Sequence, residues 1–129
     1  MKYLLDVNAL LALGFIEHEY HPRVSAWVKA QQRLPTLATC PITELGFVRI
    51  LSQTPPYGFT VAQSQNLLLK LKKSDAFIFI PDDQDISHLP AWAKSPRQTT
   101  DGHLLELARA NQFVLATLDA RIPGAYLID

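Results

Sequence analysis

The sequence predicts an α/β fold: a three-layer α/β/α sandwich around a mainly parallel central sheet of four to five strands, with residues 1–129 as one domain. Short apolar runs without polar alternation recur at residues 3–7, 37–39, 77–80 and 113–117, the pattern of strands buried on both faces of a parallel sheet. Helical periodicities lie between them, as right-handed βαβ crossovers require. The chain has 129 residues, 48% of them hydrophobic, which is enough apolar material for one sizeable core.

Taken in order, the first strand ends at Asp6. Asn8 is the expected cap of a short helix carrying Leu10, Leu11 and Leu13 and stopping at Gly14. Pro22, a favoured first-turn residue, opens a second helix that buries Val24, Trp27 and Val28 and runs to about Gln32. After the strand at 37–39, a helix starts at Pro41 or Thr43 with Leu45, Val48 and Leu51 on its inner side, which puts Glu44 in or just after the first turn. Pro55, Pro56 and Gly58 break the chain before Thr60 caps a longer helix through Leu67, Leu68 and Leu71. Residues 77–80 read as a third buried strand closed by Pro81, and residues 82–96 as a long polar connection with about one helical turn. Thr99 or Thr100 then caps a helix with Leu104, Leu107 and Ala108 inward. The strand at 113–117 stops just before Asp119, and a short strand at 126–128 closes the fold.

Composition narrows the setting. Twelve Lys and Arg balance twelve Asp and Glu, so net charge does not announce a nucleic-acid binder; with four acids set aside for a metal, twelve basic residues face eight acidic ones. Cys40 is the only cysteine, which suits a reducing cytoplasm. The N-terminus reaches Asp6 too soon for a secretory signal, and the richest apolar stretch, 7–16, is about half a membrane span, so a soluble intracellular protein is expected.

Four acids carry the chemistry. Ligands of open parallel sheets bind beyond the carboxyl ends of the strands, where Asp6 and Asp119 both fall. Glu44 and Asp101 lie near helix N-termini on the same rim. Singly, each has an ordinary explanation: the helix dipole favours an acid in a first turn, and Asp119 suits a turn. Together they repel, and a hard cation such as Mg²⁺, which accepts a few carboxylates and keeps several waters, explains the gathering. Period-two spacing links Asp6 with Asn8 and Thr117 with Asp119, so Asn8 is a candidate to orient a metal-bound water or Asp6, and Thr117 a hydrogen-bonding support.

The segments LLDVNALLAL, TELGFVRIL, TTDGHLLELA and LATLDARI, in that order, resemble the PIN-domain ribonucleases, and most closely the VapC-type toxins of bacterial toxin–antitoxin pairs, across essentially the whole chain. The resemblance implies that Asp6 and Asp101 are the principal metal-binding aspartates, Glu44 the helix-borne glutamate and Asp119 the fourth acid. It also implies Mg²⁺ or Mn²⁺ dependence, RNA cleavage by a metal-activated water, homodimers, and inhibition by a small VapB-type antitoxin whose C-terminal segment covers the site. Attack by water leaves a 5′-phosphate and a 3′-hydroxyl, with Glu44 or Asp119 orienting the water. Two departures from the family pattern stand out: Ala120 and Arg121 stand where another acid is common, and Gly102 where a better helix former is.

Arg49, Lys70, Lys72, Lys73, Arg97 and Arg109 are candidates for a phosphate-binding surface, Arg49 foremost, with His103 as a phosphate or base contact. Trp92, in the polar connection, suits either an RNA base or a dimer seam. His18 and His21 have helical spacing for a metal, but Pro22 interrupts it. The acids at 82, 83 and 85 read as turn chemistry. Two rival functions start from the same residues: an aspartyl phosphotransferase using Asp6, which is expected to need an acid where Asn8 stands, and a non-catalytic PIN-fold binding module.

Overall fold

A computed structural model describes residues 1–31, 36–74 and 77–129. The elements in order are β1 (Lys2–Leu5), α1 (Val7–Gly14), α2 (His21–Ala30), β2 (Thr36–Thr39), α3 (Pro41–Gln53), α4 (Val61–Ser74), β3 (Ile78–Phe79), α5 (Thr99–Ala110), β4 (Val114–Thr117) and β5 (Tyr126–Leu127). Short 3₁₀ turns at Ile86–His88 and Pro96–Gln98 punctuate the connection before α5. The five strands pair in the order β3-β2-β1-β4-β5, all parallel.

Strand pleating sorts the core into two layers. Tyr3, Leu5, Leu37 and Ala116 face one side, where they pack with Leu10, Val24, Trp27, Phe47 and Leu68 of α1 to α4. Leu4, Ala38 and Leu115 face the other, against Leu104, Leu105 and Leu107 of α5. The sheet is therefore buried on both faces, as runs without polar alternation imply. The chain crosses from β1 to β2 on one side of β1, and returns from β3 to β4 on its other side. The carboxyl ends of β1 and β4 thus flank the switch point where parallel sheets place their ligands.

Several local expectations are corrected. β1 stops at Leu5, and Asp6 rather than Asn8 caps α1, its Oδ1 accepting from the Val7 amide at 2.8 Å. The expected end of α2 at Gln32 lies outside the described residues; the helix closes at Ala30. Leu45 is 69% exposed. The reason is Gly46, where a Cβ would stand 2.7 Å from Val7 Cγ2: close packing of α3 on α1 there turns Gly46, Phe47 and Leu51 inward and Leu45 out. β3 is an edge strand with Ile78 and Phe79 both exposed, and only Ile80 after it is buried. Neither Thr99 nor Thr100 caps α5; the Pro96–Gln98 turn runs straight into it, and the Thr99 hydroxyl donates to the Pro96 carbonyl. Thr60 does cap α4, its hydroxyl accepting from the Gln63 amide and Gln63 Oε1 from the Thr60 amide. Among the described residues, no helix is long and apolar enough to cross a membrane.

Candidate functional site

Asp6 leaves β1 at the switch point, only 6% exposed. Besides capping α1, it accepts a hydrogen bond at Oδ2 from the fully buried Thr117 hydroxyl at the end of β4, at 2.8 Å. That hydroxyl in turn accepts from Asn8 Nδ2 at 3.2 Å and from the Asp119 amide at 3.0 Å, which fills its hydrogen-bonding capacity. Asn8 Oδ1 accepts from the Leu118 amide. Asn8 thus stands in the first turn of α1 rather than on a continued strand, and reaches Asp6 only through Thr117.

Burial pushes the Asp6 carboxyl above the ordinary aspartate range; the bonds from Thr117 and Val7 oppose this, and the nearby charges of Asp101 and Asp119 add to it. Asp101, in the first turn of α5, is also pushed up, by burial and then by Asp119, with Arg121 acting against the shift. Asp119 shifts the other way. Arg121 donates to it through Nε at 2.9 Å, Nη2 at 3.0 Å and its own backbone amide, and holds its carboxyl below the ordinary range.

Three of the four acids therefore act on one another, and Glu44 stands apart. Its Oε2 accepts from both the Thr39 hydroxyl at the end of β2 and Lys72 Nζ of α4, each at 2.5 Å. Among the described residues, no three acidic, histidine or cysteine side chains close around one point tightly enough to enclose an ion.

A cavity of about 230 Å³ opens beside the aspartates, lined by Trp92, Ser95, Arg97 and Gln98 together with Asp101, Asp119 and Arg121. Trp92 also packs against the α5-side core. His103 Nε2 is hydrogen-bonded to Asp82 Oδ1 at 2.8 Å, which ties it to the connection before α5, and Arg49 is exposed on α3. His18 Nδ1 accepts from the Tyr20 amide and His21 Nδ1 donates to the Ala12 carbonyl, so the two do not form a metal pair. Sequence reading missed Arg121 as a partner of Asp119, although an Asp with a basic residue two positions on is a local signal. It also missed Lys72 as the partner of Glu44, for which 28 residues of separation leave no signal.

No protein-family model matches the chain. It is 37% identical over 126 residues to Ribonuclease VapC38 of Mycobacterium tuberculosis, covering 92% of this chain and 86% of that protein. It is 36% identical over 137 residues to Ribonuclease VapC44 of the same species, covering 97% and 94%. Among solved structures, the fold matches PAE2754 from Pyrobaculum aerophilum with a TM-score of 0.63 at 22% identity, covering 99% of this chain and 84% of that one. It also matches VapBC2 from Rickettsia felis bound to a DNA fragment from their promoter, with a TM-score of 0.61 at 16% identity, covering 98% and 97%.

Proposed function

This chain belongs to the VapC ribonuclease family, and we propose that it is a divalent-metal-dependent endoribonuclease hydrolysing RNA phosphodiesters at the rim formed by Asp6, Asp101 and Asp119. The observation that carries the reading is Asp6: a carboxylate 6% exposed, raised in pKa, facing two further carboxylates at the sheet's switch point. Arg121 meets the charge of Asp119, but no cation is among the hydrogen-bond partners of Asp6 or Asp101 in the described residues, which supports an external ion between those two.

The donor set fits Mg²⁺ or Mn²⁺. Mg²⁺ is commonly held by one or two carboxylates plus waters, and Asp6 and Asp101 supply hard oxygens of that kind. Bound there, the ion would supply Lewis acidity and a more acidic water. The chain's own residues do the rest. Thr117 fixes Asp6 Oδ2, and Asn8 and the Asp119 amide fix Thr117. Asp119, held by Arg121, and Glu44, whose Oε1 has no partner among the described residues, serve as positioning acids for water or ribose hydroxyls.

The reading extends to a VapB-type antitoxin as partner and to a homodimer, in the cytoplasm. An apolar groove beside Glu44, lined by Leu45, Val48, Val61, Leu69 and Phe79, supports a protein partner; Leu45, Val61 and Leu69 are more than half exposed.

The test is incubation with a mixed cellular RNA pool in Mg²⁺ or in EDTA, beside Asp101→Asn. Cuts that need metal, carry 5′-phosphates and vanish in the variant are expected. Ends bearing 2′,3′-cyclic phosphate contradict attack by water. A folded protein that cuts no RNA with any divalent metal moves the binding-module reading forward.

A further inference from the structure

The connection before α5 is built into the rim rather than looped out from it. Its start is held by the Asp82–His103 bond, whose side chains are both largely buried. Its middle lies on Gly102, where a Cβ would meet Pro90 Cδ at 2.9 Å and Ala93 Cβ at 3.0 Å. Its end is fastened by Gln98 Oε1, which accepts from the Lys94 and Ser95 amides and the Ser95 hydroxyl. Gly102, which departs from the family pattern as a helix former, is thus a close-approach glycine next to Asp101. It lets the connection lie flat on α5 and brings Trp92 and Arg97 to the cavity that Asp101 and Asp119 share.

Among the described residues, neither the Trp92 indole N–H nor the Arg97 guanidinium has a hydrogen-bond partner, and Arg97 is exposed. Gln98 Oε1 is committed to the turn, so its side chain offers a ligand only amide N–H. The cavity therefore combines an aromatic anchored on one side in the core, an unpaired guanidinium, and N–H donors beside two carboxylates. A nucleotide matches each part: its base stacks on the indole, and its phosphate accepts from the guanidinium that offsets the acids. A base can stack on a side chain only when it is free of a duplex, which selects single-stranded RNA.

We propose that this cavity is the subsite for the nucleotide adjoining the cleaved phosphodiester, with Trp92 stacking its base and Arg97 holding its phosphate, so that the Gly102-seated connection selects the cut site. The proposal rests on the ribonuclease reading.

Two arms test it. In EDTA, a short single-stranded oligoribonucleotide is expected to quench Trp92 emission in wild type, with no quench in Trp92→Phe, where only Trp27 in the core emits. In Mg²⁺, Trp92→Ala is expected to bind and cut roughly ten- to a hundredfold less well, as loss of base–aromatic stacking implies, with Trp92→Phe restoring the wild-type cut sites. Gly102→Ala is expected to change the sites as well, because it displaces the connection while leaving Trp92 and Arg97 in the chain. A folded Trp92→Ala that cuts the same sites at the wild-type rate overturns the proposal, and so does a quench that persists in Trp92→Phe. If wild type cuts no RNA in any metal, the ribonuclease reading has failed on its own. The fluorescence arm then decides alone, and absence of an RNA-dependent quench sinks the subsite.

Discussion

Asp6 and Glu44 both follow parallel strands at the same edge of the sheet, yet the protein treats their charges in opposite ways. Glu44 has an internal cation, Lys72, which itself lies over the Phe79 ring at 5.2 Å, and a hydroxyl from Thr39. Asp6 is more deeply buried and has a hydroxyl and an amide but no cation among its hydrogen-bond partners, while Asp101 and Asp119 repel it. Asp119 lies between these extremes, clamped by the exposed Arg121. The charge of Glu44 is therefore met inside the fold through one oxygen, with Oε1 left open among the described residues, whereas Asp6 and Asp101 form a local excess of negative charge that is left to be met from solution.

The largest expected effect that sharpens this contrast comes from Thr117→Val. It removes the only side-chain bond to Asp6 among the described residues and leaves Asn8 Nδ2 and the Asp119 amide without their acceptor. We expect about a 10- to 100-fold loss of metal affinity or RNA cleavage, with a stability loss of about 1–3 kcal/mol, read by kinetics and denaturant melts. Thr39→Val is expected to do much less, because Lys72 stays on Glu44. Equal effects from the two variants would erase the distinction.

The pH dependence of stability comes next. For Asp6 and Asp101, whose folded pKa values lie above the ordinary 3.8, protonation favours the fold. That contribution is complete below about 3.8 and is lost as pH rises through the raised values. In EDTA, Asp101→Asn should therefore melt higher than wild type at neutral pH, with the gap closing as pH falls to the ordinary aspartate value. Asp119 has the opposite sign: its contribution is present above 3.8 and is lost as pH falls through its lowered value, so Arg121→Gln should be less stable than wild type at neutral pH. A neutral-pH melt in which Asp101→Asn falls below wild type would mean that Asp101 is internally compensated after all.

The smallest effect on the metal site belongs to Lys72→Met. The ion pair it breaks is about three-quarters buried on each side, so a stability loss of roughly 1–3 kcal/mol with unaltered Mg²⁺ affinity is expected in melts and calorimetric titration. A tenfold change in Mg²⁺ affinity would show that Glu44 and the aspartates form one electrostatic unit.

Much of this was legible in the sequence because it rests on short-range physics. Short unalternating runs such as Leu4–Leu5 before Asp6, bounded by polar residues, read as strands buried on both faces, and that inference places Asp6 and Asp119 at the carboxyl edge. What escaped depended on packing partners far along the chain. Leu45 matches the inward period of α3 and is turned out by Gly46 against Val7. Residues 78–79 are apolar enough for a core strand but lie at the sheet edge, which no local signal marks. Gly102 reads as a weak helix former until Pro90 and Ala93 are seen against it. The pairing of Glu44 with Lys72 likewise joins residues 28 apart, and sequence alone reads Lys72 as a phosphate-binding candidate rather than as a partner of Glu44.

Thermal melting of wild type, Asp101→Asn and Glu44→Gln at neutral pH, with Mg²⁺ and with EDTA, tests the central claim most directly. A cation that fills the Asp6–Asp101 site stabilises only the folded state. Mg²⁺ should therefore raise the melting temperature of wild type and Glu44→Gln and leave Asp101→Asn where EDTA puts it. Stabilisation of Asp101→Asn equal to that of wild type, or none in wild type at saturating Mg²⁺, would contradict the account.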